Sequence, residues 1–311
     1  MSTPSNPTLE PVALAVAPNG GRRGKSDHPA LPITPAELAR TAAQCAEAGA
    51  AMIHLHVRDR YGRHVLDADA YRAATDAIHR EAGSEIVVQI TSESLGSYAP
   101  AEQMAAVRAT RPEAVSLALR EMVPTAAHEL AFAAFLAELQ DIEAMPQIIV
   151  YTPEELRELL NMRARGVIPF ADIPVLLALG RYVEGQIARP SALLPFLNAG
   201  IEKFGHWSCC AFGPHELRTV ISSALFGGHV RVGFENNLHL PDGSLAPDNA
   251  SLVEAAAAAL RSLSSPLATG FALRETLRTL LADGQKQRSV MQPLIGTATP
   301  SQRSPANTCQ P

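Results

Sequence analysis

The chain has 311 residues, of which 47% are hydrophobic and 18% charged, and it carries a formal net charge of −5. These proportions describe a globular protein able to bury a full core, either as two domains or as one large α/β barrel. The net negative charge, without any block of lysine and arginine, argues against a nucleic-acid surface; no apolar run reaches membrane-spanning length, and the polar N-terminus shows no apolar signal segment.

Four cysteines (Cys45, Cys209, Cys210 and Cys309) form no C-x-x-C pair, which reads as reduced thiols in a cytoplasmic protein. Residues 1–9 are polar and read as disordered. A buried strand is expected over 11–17 (PVALAVA), followed by the Gly-rich basic loop 18–25. Thr34, Pro35 and Glu37 supply an N-cap, a first-turn proline and a capping-box acid for a helix that runs to Ala48 and stops at Gly49.

A second strand follows over 53–59 (IHLHVRD), with its apolar pattern starting at Met52; then come a turn at Tyr61 and Gly62 and a helix over 67–82. Strands are further expected at 85–91, 114–119, 147–151, 175–179, 204–212 and 230–234. Helices are expected at 100–111, 125–144, 153–165, 189–198, 214–226 and 249–262. Eight strand-then-helix units predict a parallel sheet, and eight in this length predict a closed (β/α)8 barrel rather than a doubly wound sheet. The barrel is one domain over 10–284, ending in an extra helix at 270–282 packed on the barrel or on a partner chain. Residues 285–311, rich in Gln, Ser, Thr and Pro, read as a mobile tail.

In such a barrel the reactive groups sit where strands end and loops begin. Side chains alternate along a strand, so His54, His56 and Arg58 share one face, and two imidazoles at that spacing reach a single ion. The same parity puts Arg231, Gly233 and Glu235 on one face. Strands eight, one and two are consecutive around a closed ring, so Glu235 leans over the mouth that holds His54 and His56. Two histidines and one carboxylate form an open catalytic zinc site, and the set also suits iron or manganese. The competing readings are core histidines bonded to neighbouring carbonyls and a structural Glu235–Arg salt bridge. Arg22, Arg58 and Arg231 make the mouth cationic and suited to an anionic substrate, unless each is an ordinary ion pair. His206 reads as a satisfied interior histidine; His64 and His229 show no partner pattern.

On four motifs the chain resembles the β-keto acid cleavage enzymes: APNGG at 17–21, LPITPAEL at 31–38, HLHVRD at 54–59 and VRVGFENN at 230–237. The resemblance covers about residues 12–281. It implies a (β/α)8 barrel, one Zn2+ per chain held by His54, His56 and Glu235, and a homo-oligomer, tetramer or dimer. The implied reaction condenses a β-keto acid with acetyl-CoA and yields acetoacetate and a new CoA thioester. Arg231 and position 236 match a base-activating pair, and Thr91 or Ser92 together with Ser116 match hydroxyls that hold the substrate. Asn19, Arg22, Arg58 and Glu121 fall on the substrate side.

Two departures change the expectation. Asn236 stands where the family has an aspartate, and an amide is no carboxylate base; Glu93, Glu121 and Asp59 are the candidate substitutes. Arg22 stands where members with amino substrates carry an acid, which predicts an anionic or polar tail. Residues 147–158 also depart from the family pattern. The alternatives are a metal-dependent aldolase, lyase or hydrolase that uses no CoA, and a catalytically impaired metal-containing ligand binder.

Overall fold

The computed structural model describes residues 10–180 and 187–295. The first half of the barrel comprises β1 (Leu14–Val16), α1 (Pro35–Ala48), β2 (Met52–Leu55), α2 (Ala68–Ala82), β3 (Val87–Thr91), α3 (Pro100–Thr110), β4 (Ala114–Ala118) and the one-turn α4 (Leu119–Met122). Then follow α5 (Glu129–Asp141), β5 (Met145–Val150), α6 (Pro153–Ala164), β6 (Val175–Leu179), α7 (Leu194–Ala199), β7 (Trp207–Ala211), α8 (Glu216–Leu225), β8 (His229–Val232), α9 (Asn249–Ser262) and α10 (Gly270–Ile295). Each strand pairs in parallel with the next, and β8 pairs with β1, so the sheet is a closed barrel. That closing pair excludes the doubly wound alternative, which leaves two strand edges open. No helix among the described residues is long and apolar enough to cross a membrane.

The helix ends follow the local chemistry of the chain. Thr34 Oγ1 accepts from the Glu37 amide, the Glu37 carboxylate accepts from the Thr34 amide, and Gly49 closes α1 in the left-handed conformation at φ 118°. Asp67 and Asp248 cap α2 and α9 in the same manner.

Several boundaries differ from the sequence reading. β2 ends at Leu55 and β8 at Val232, so His56, Arg58 and Glu235 lie beyond the paired strands. Apolar alternation persists past the last ladder bond there, which makes the strands look longer. The helix expected at 125–144 is a 3-10 turn, Ala126–His128, followed by α5, because Met145 already belongs to β5. The helix expected at 189–198 is likewise a 3-10 turn, Pro190–Leu193, followed by α7. The short α4 is too brief to show a helical period.

α10 continues past 282, into the stretch read as a tail. The segments 1–9 and 296–311 lie outside the described residues. α10 belongs to the barrel: Arg274 pairs with Glu113 at 2.9 Å and donates to the carbonyls of Ser84 and Ile86 just before β3. A Cβ on Gly270 would stand 1.9 Å from the Glu85 carbonyl oxygen, so glycine permits this close approach.

A large apolar core fills the space between strands and helices, with Tyr71, Phe132, Phe135 and Leu38 fully buried. Inside the ring the layers differ. Ala118, Ile149, Leu176, Ala178 and Cys210 form a small apolar cluster near the mouth. Lower down the interior is polar, with Gln89, Gln147, Ser208, His206 and His229 around a cavity of about 20 Å³.

His206 and His229 are bonded at 3.1 Å. The Ala13 amide donates to His229 Nδ1, so Nε2 of His229 carries the proton and donates to His206 Nδ1; both rings are neutral. Burial holds His206 down at about 3 and His229 at about 4, against an ordinary value of 6.5. Below about pH 6.5 the unfolded chain therefore binds protons that the fold refuses. Stability that is complete above that pH is lost as the pH falls toward the folded values. We expect the urea midpoint to drop between about pH 7 and pH 5, and to drop less steeply in His229→Gln, whose amide keeps an acceptor and a donor without titrating. Equal slopes in both proteins would contradict this account.

Candidate metal centre at the barrel mouth

The two imidazoles at the end of β2 are oriented by hydrogen bonds that run in one direction. His54 lies beside Gln89 in the β2–β3 register, and its Nδ1 donates to Gln89 Oε1 at 2.8 Å. Gln89 Nε2 donates to Gln147 Oε1 at 3.1 Å, and Gln147 Nε2 donates to Ser208 Oγ at 3.0 Å. Ser208 Oγ in turn faces the Val175 carbonyl at 3.5 Å. A chain that ends on a carbonyl reads one way only, so His54 holds its proton on Nδ1 and presents a lone pair at Nε2.

The second imidazole is set by His64. Nε2 of His64 faces the Glu93 carbonyl at 2.8 Å and must donate to it, which makes His64 Nδ1 an acceptor. His56 Nδ1, 3.4 Å away, is then the donor, and His56 Nε2 keeps its lone pair. That nitrogen is buried and has no hydrogen-bond partner among the described residues. Burial lowers the pKa of all three rings, bringing His54 to about 4 and His56 well below its ordinary value, so they are neutral ligands at neutral pH.

Glu235 reaches the pair from beyond β8. Its Oε2 lies 3.6 Å from His54 Nε2 and 3.7 Å from His56 Nε2. Three donors bound at about 2.1 Å to one tetrahedral ion stand about 3.4 Å apart, so the observed spacing fits a divalent cation. One ligand atom from each of His54, His56 and Glu235 lies within 4.8 Å of the others. Glu235 Oε1 meets Arg231 Nη2 at 3.4 Å, so the arginine pair and the triad coexist on opposite oxygens of one carboxylate. Gly233 makes this placement possible: its φ is 136°, and a Cβ there would stand 2.4 Å from the Ala17 carbonyl oxygen.

The triad opens into a cavity of about 450 Å³. Three arginines (Arg22, Arg120 and Arg231) and three glutamates (Glu93, Glu121 and Glu235) line it, with the hydroxyls of Thr91 and Ser116 and an apolar wall of Ile149, Tyr151 and Phe212. Ser116 Oγ is buried without a hydrogen-bond partner among the described residues. Of the two hydroxyls expected at the end of β3, Thr91 faces the cavity, whereas Ser92 Oγ donates to the Ser116 carbonyl. Glu93 Oε2 stands 3.8 Å from His56 Nε2; burial, then Glu235 and Glu121, push its carboxyl up to about 8. The Glu121 carboxylate accepts from the amide and hydroxyl of Ser94 and so pins the β3 loop.

Three expected substrate or catalytic residues have other surroundings. Asn19 clasps the backbone of His56: its Oδ1 accepts from the amide and its Nδ2 donates to the carbonyl at 2.8 Å. Arg58 donates to the carbonyls of Gly62, Arg23 and Gly20, outside the cavity lining, because strand parity no longer governs a residue beyond Leu55. Asn236 is fully buried, does not line the cavity, and its side-chain carboxamide makes no hydrogen bond among the described residues. The structure does not join it to Arg231, whose Nη2 bonds Glu235 and the Cys210 sulfur at 3.1 Å.

Gln89, Gln147 and His64 escaped the sequence reading as site residues. A polar Gln89 at an inward position of an apolar strand was the only available signal.

A profile described as beta-keto acid cleavage enzyme matches residues 11–278. A 3-keto-5-aminohexanoate cleavage enzyme of Fusobacterium nucleatum is 27% identical over 278 residues, 86% of this chain and 98% of that protein. A 3-oxoadipate:acetyl-CoA acetyltransferase of Cupriavidus necator is 26% identical, over 84% of this chain and 92% of that protein. Among solved structures, a binary complex of ObcA with oxaloacetate superimposes with a TM-score of 0.64 at 16% identity, over 80% of this chain and 67% of that one, a likeness of fold. With the family profile spanning nearly the whole barrel, the chain belongs to the beta-keto acid cleavage enzyme family.

Proposed function

We propose that this enzyme is zinc-dependent and transfers an acyl group between a β-keto acid and acetyl-CoA, giving acetoacetate and a new CoA thioester. The observation that carries the reading is the triad itself: two imidazoles with Nε2 bared by their own hydrogen bonds, and a carboxylate oxygen 3.6 and 3.7 Å from them. The names of the relatives from Fusobacterium and Cupriavidus support the substrate class and the co-substrate. Three buried, unpaired thiols, Cys45, Cys209 and Cys210, support a reducing, cytoplasmic location.

When bound to His54, His56 and Glu235, the ion supplies Lewis acidity that polarises the substrate carbonyl and favours loss of the neighbouring α-proton. The protein supplies the rest. The Thr91 and Ser116 hydroxyls hold the substrate from the ends of β3 and β4. Glu93 Oε2 is the proton acceptor in its ionised form, which a divalent cation at the triad would favour over the neutral carboxyl that burial favours. Of the three substitutes for the family aspartate, Asp59 is engaged by Arg63 and the Tyr61 amide, and Glu121 by Ser94; Glu93 faces the cavity beside His56. Arg231 stabilises negative charge next to Glu235.

The α-carbon then forms a bond to the acetyl carbon as CoA thiolate leaves. The thiolate attacks the original keto carbon, the bond between that carbon and the α-carbon breaks, and the proton returns to the α-carbon. The products are acetoacetate and the acyl-CoA of the remaining carbons.

Metal-loaded enzyme given a panel of β-keto acids is expected to release acetoacetate only when acetyl-CoA is present, with one new CoA thioester per acetoacetate. Acetoacetate formed equally without acetyl-CoA, or no product from any acid, would overturn the reading. The hydrogen-bond chain behind His54 gives a second expectation. Gln89→Leu should weaken zinc binding by about 10- to 100-fold with the fold retained, and Gln89→Glu should restore most of it. Unchanged zinc affinity in Gln89→Leu, measured by competition with a chelator, would contradict the role assigned to that chain.

A further inference from the structure

Arg120 is the one arginine of the cavity that stands across the ring from the metal ligands. It follows β4, whereas His54 and His56 come from β2, Glu235 from β8, and Arg22 from the loop after β1. In an eight-strand ring β4 is diametrically opposite β8, and β5 opposite β1.

The guanidinium of Arg120 is held on two sides. Its carbon lies 4.3 Å over the centre of the Tyr151 ring, which fixes its plane. Its Nε donates to Glu155 Oε1 at 2.5 Å. Glu155 is itself immobilised, since its other oxygen accepts from the Tyr151 amide at 2.6 Å and its own amide donates to Thr152 Oγ1. No hydrogen bond among the described residues engages Nη1 or Nη2 of Arg120. The side chain is 36% exposed, and it lines the cavity. A clamped, planar fork with its terminal edge unengaged is a carboxylate receptor. The adjoining wall of Ala118, Ile149 and Ala178 is apolar and suits a short methylene chain.

We propose that Arg120 binds the distal carboxylate of a dicarboxylic β-keto acid. The inference builds on the reading above. A substrate whose keto and carboxylate oxygens sit at the triad extends its tail along the apolar wall toward β4 and β5. It therefore runs toward Arg120, across the ring, whereas Arg22, the residue that sequence position alone suggested, follows β1 beside the triad. Charge agrees: with Glu155, which pairs with Arg120 from outside the lining, three arginines face four glutamates, a divalent cation still leaves the mouth net positive, and Glu121 is engaged by Ser94.

The test is calorimetric titration of metal-loaded protein, without acetyl-CoA, with 3-oxoadipate and with 3-oxohexanoate, which has a methyl in place of the tail carboxylate. 3-Oxoadipate should bind roughly tenfold or more tightly, that ratio should fall to about one in Arg120→Met, and Arg120→Lys should give a value between. A ratio near one in the wild type, or a ratio unchanged in Arg120→Met, overturns the inference. So does, in a parallel titration with acetyl-CoA alone, an Arg120→Met effect confined to that ligand, which would assign the fork to a CoA phosphate. An Arg120-dependent preference without acetoacetate production would leave this inference standing and remove the acyl-transfer reading. Acetoacetate production with no tail preference would do the reverse.

Discussion

The site depends on two hydrogen-bond chains whose direction is imposed by groups that can only accept. One runs from His54 through Gln89, Gln147 and Ser208 to the Val175 carbonyl, and the other from His56 through His64 to the Glu93 carbonyl. Each delivers a neutral imidazole with its lone pair aimed at the same point. Reversing any link would set hydrogen against hydrogen in a buried site, which costs a full desolvation penalty. The barrel geometry makes the first chain possible: β2, β3 and β5 place His54, Gln89 and Gln147 at inward positions.

Electrostatics turn that rigidity into a binding surface. A carboxylate as buried as Glu235 is stable only beside opposite charge, and Arg231 supplies it on one oxygen. The other oxygen faces two neutral nitrogens, an arrangement that gains most from a divalent cation. Arg231 has Glu235 and Cys210 as its side-chain contacts, and the buried Asn236 adds no charge to that group. Glu93 Oε2 stands 3.8 Å from the same His56 Nε2 and is a further carboxyl facing the cavity.

Much of this was legible in the residues. Strand–helix alternation is a local signal, and so were the cap at Thr34 and Glu37 and the stop at Gly49. The triad was expected from parity and from strands two and eight flanking strand one in a closed ring, yet His56 and Glu235 both lie past their strands, and the turn at Gly233 brings Glu235 in. Parity failed where the strand had already ended: Arg58 lies beyond Leu55 and turns to loop carbonyls. Asn19 looked like a substrate group, yet its partner is the backbone of His56, a contact set by loop conformation. Gln89, Gln147 and His64 matter through side chains that meet across the fold, and one sequence carries no record of which inward positions fall in the same layer. Arg120 was visible at a strand end, but only the Tyr151 and Glu155 contacts distinguish it from an ordinary surface arginine.

The central claim is that His54, His56 and Glu235 together hold one ion. Anomalous diffraction from zinc-loaded crystals, recorded on both sides of the zinc absorption edge, tests it most directly. The account predicts one peak per chain, about 2.0–2.2 Å from His54 Nε2, His56 Nε2 and a Glu235 oxygen, with the remaining coordination open to the cavity. A fully loaded protein whose zinc lies elsewhere, or a peak bonded to only one of the three, would contradict it.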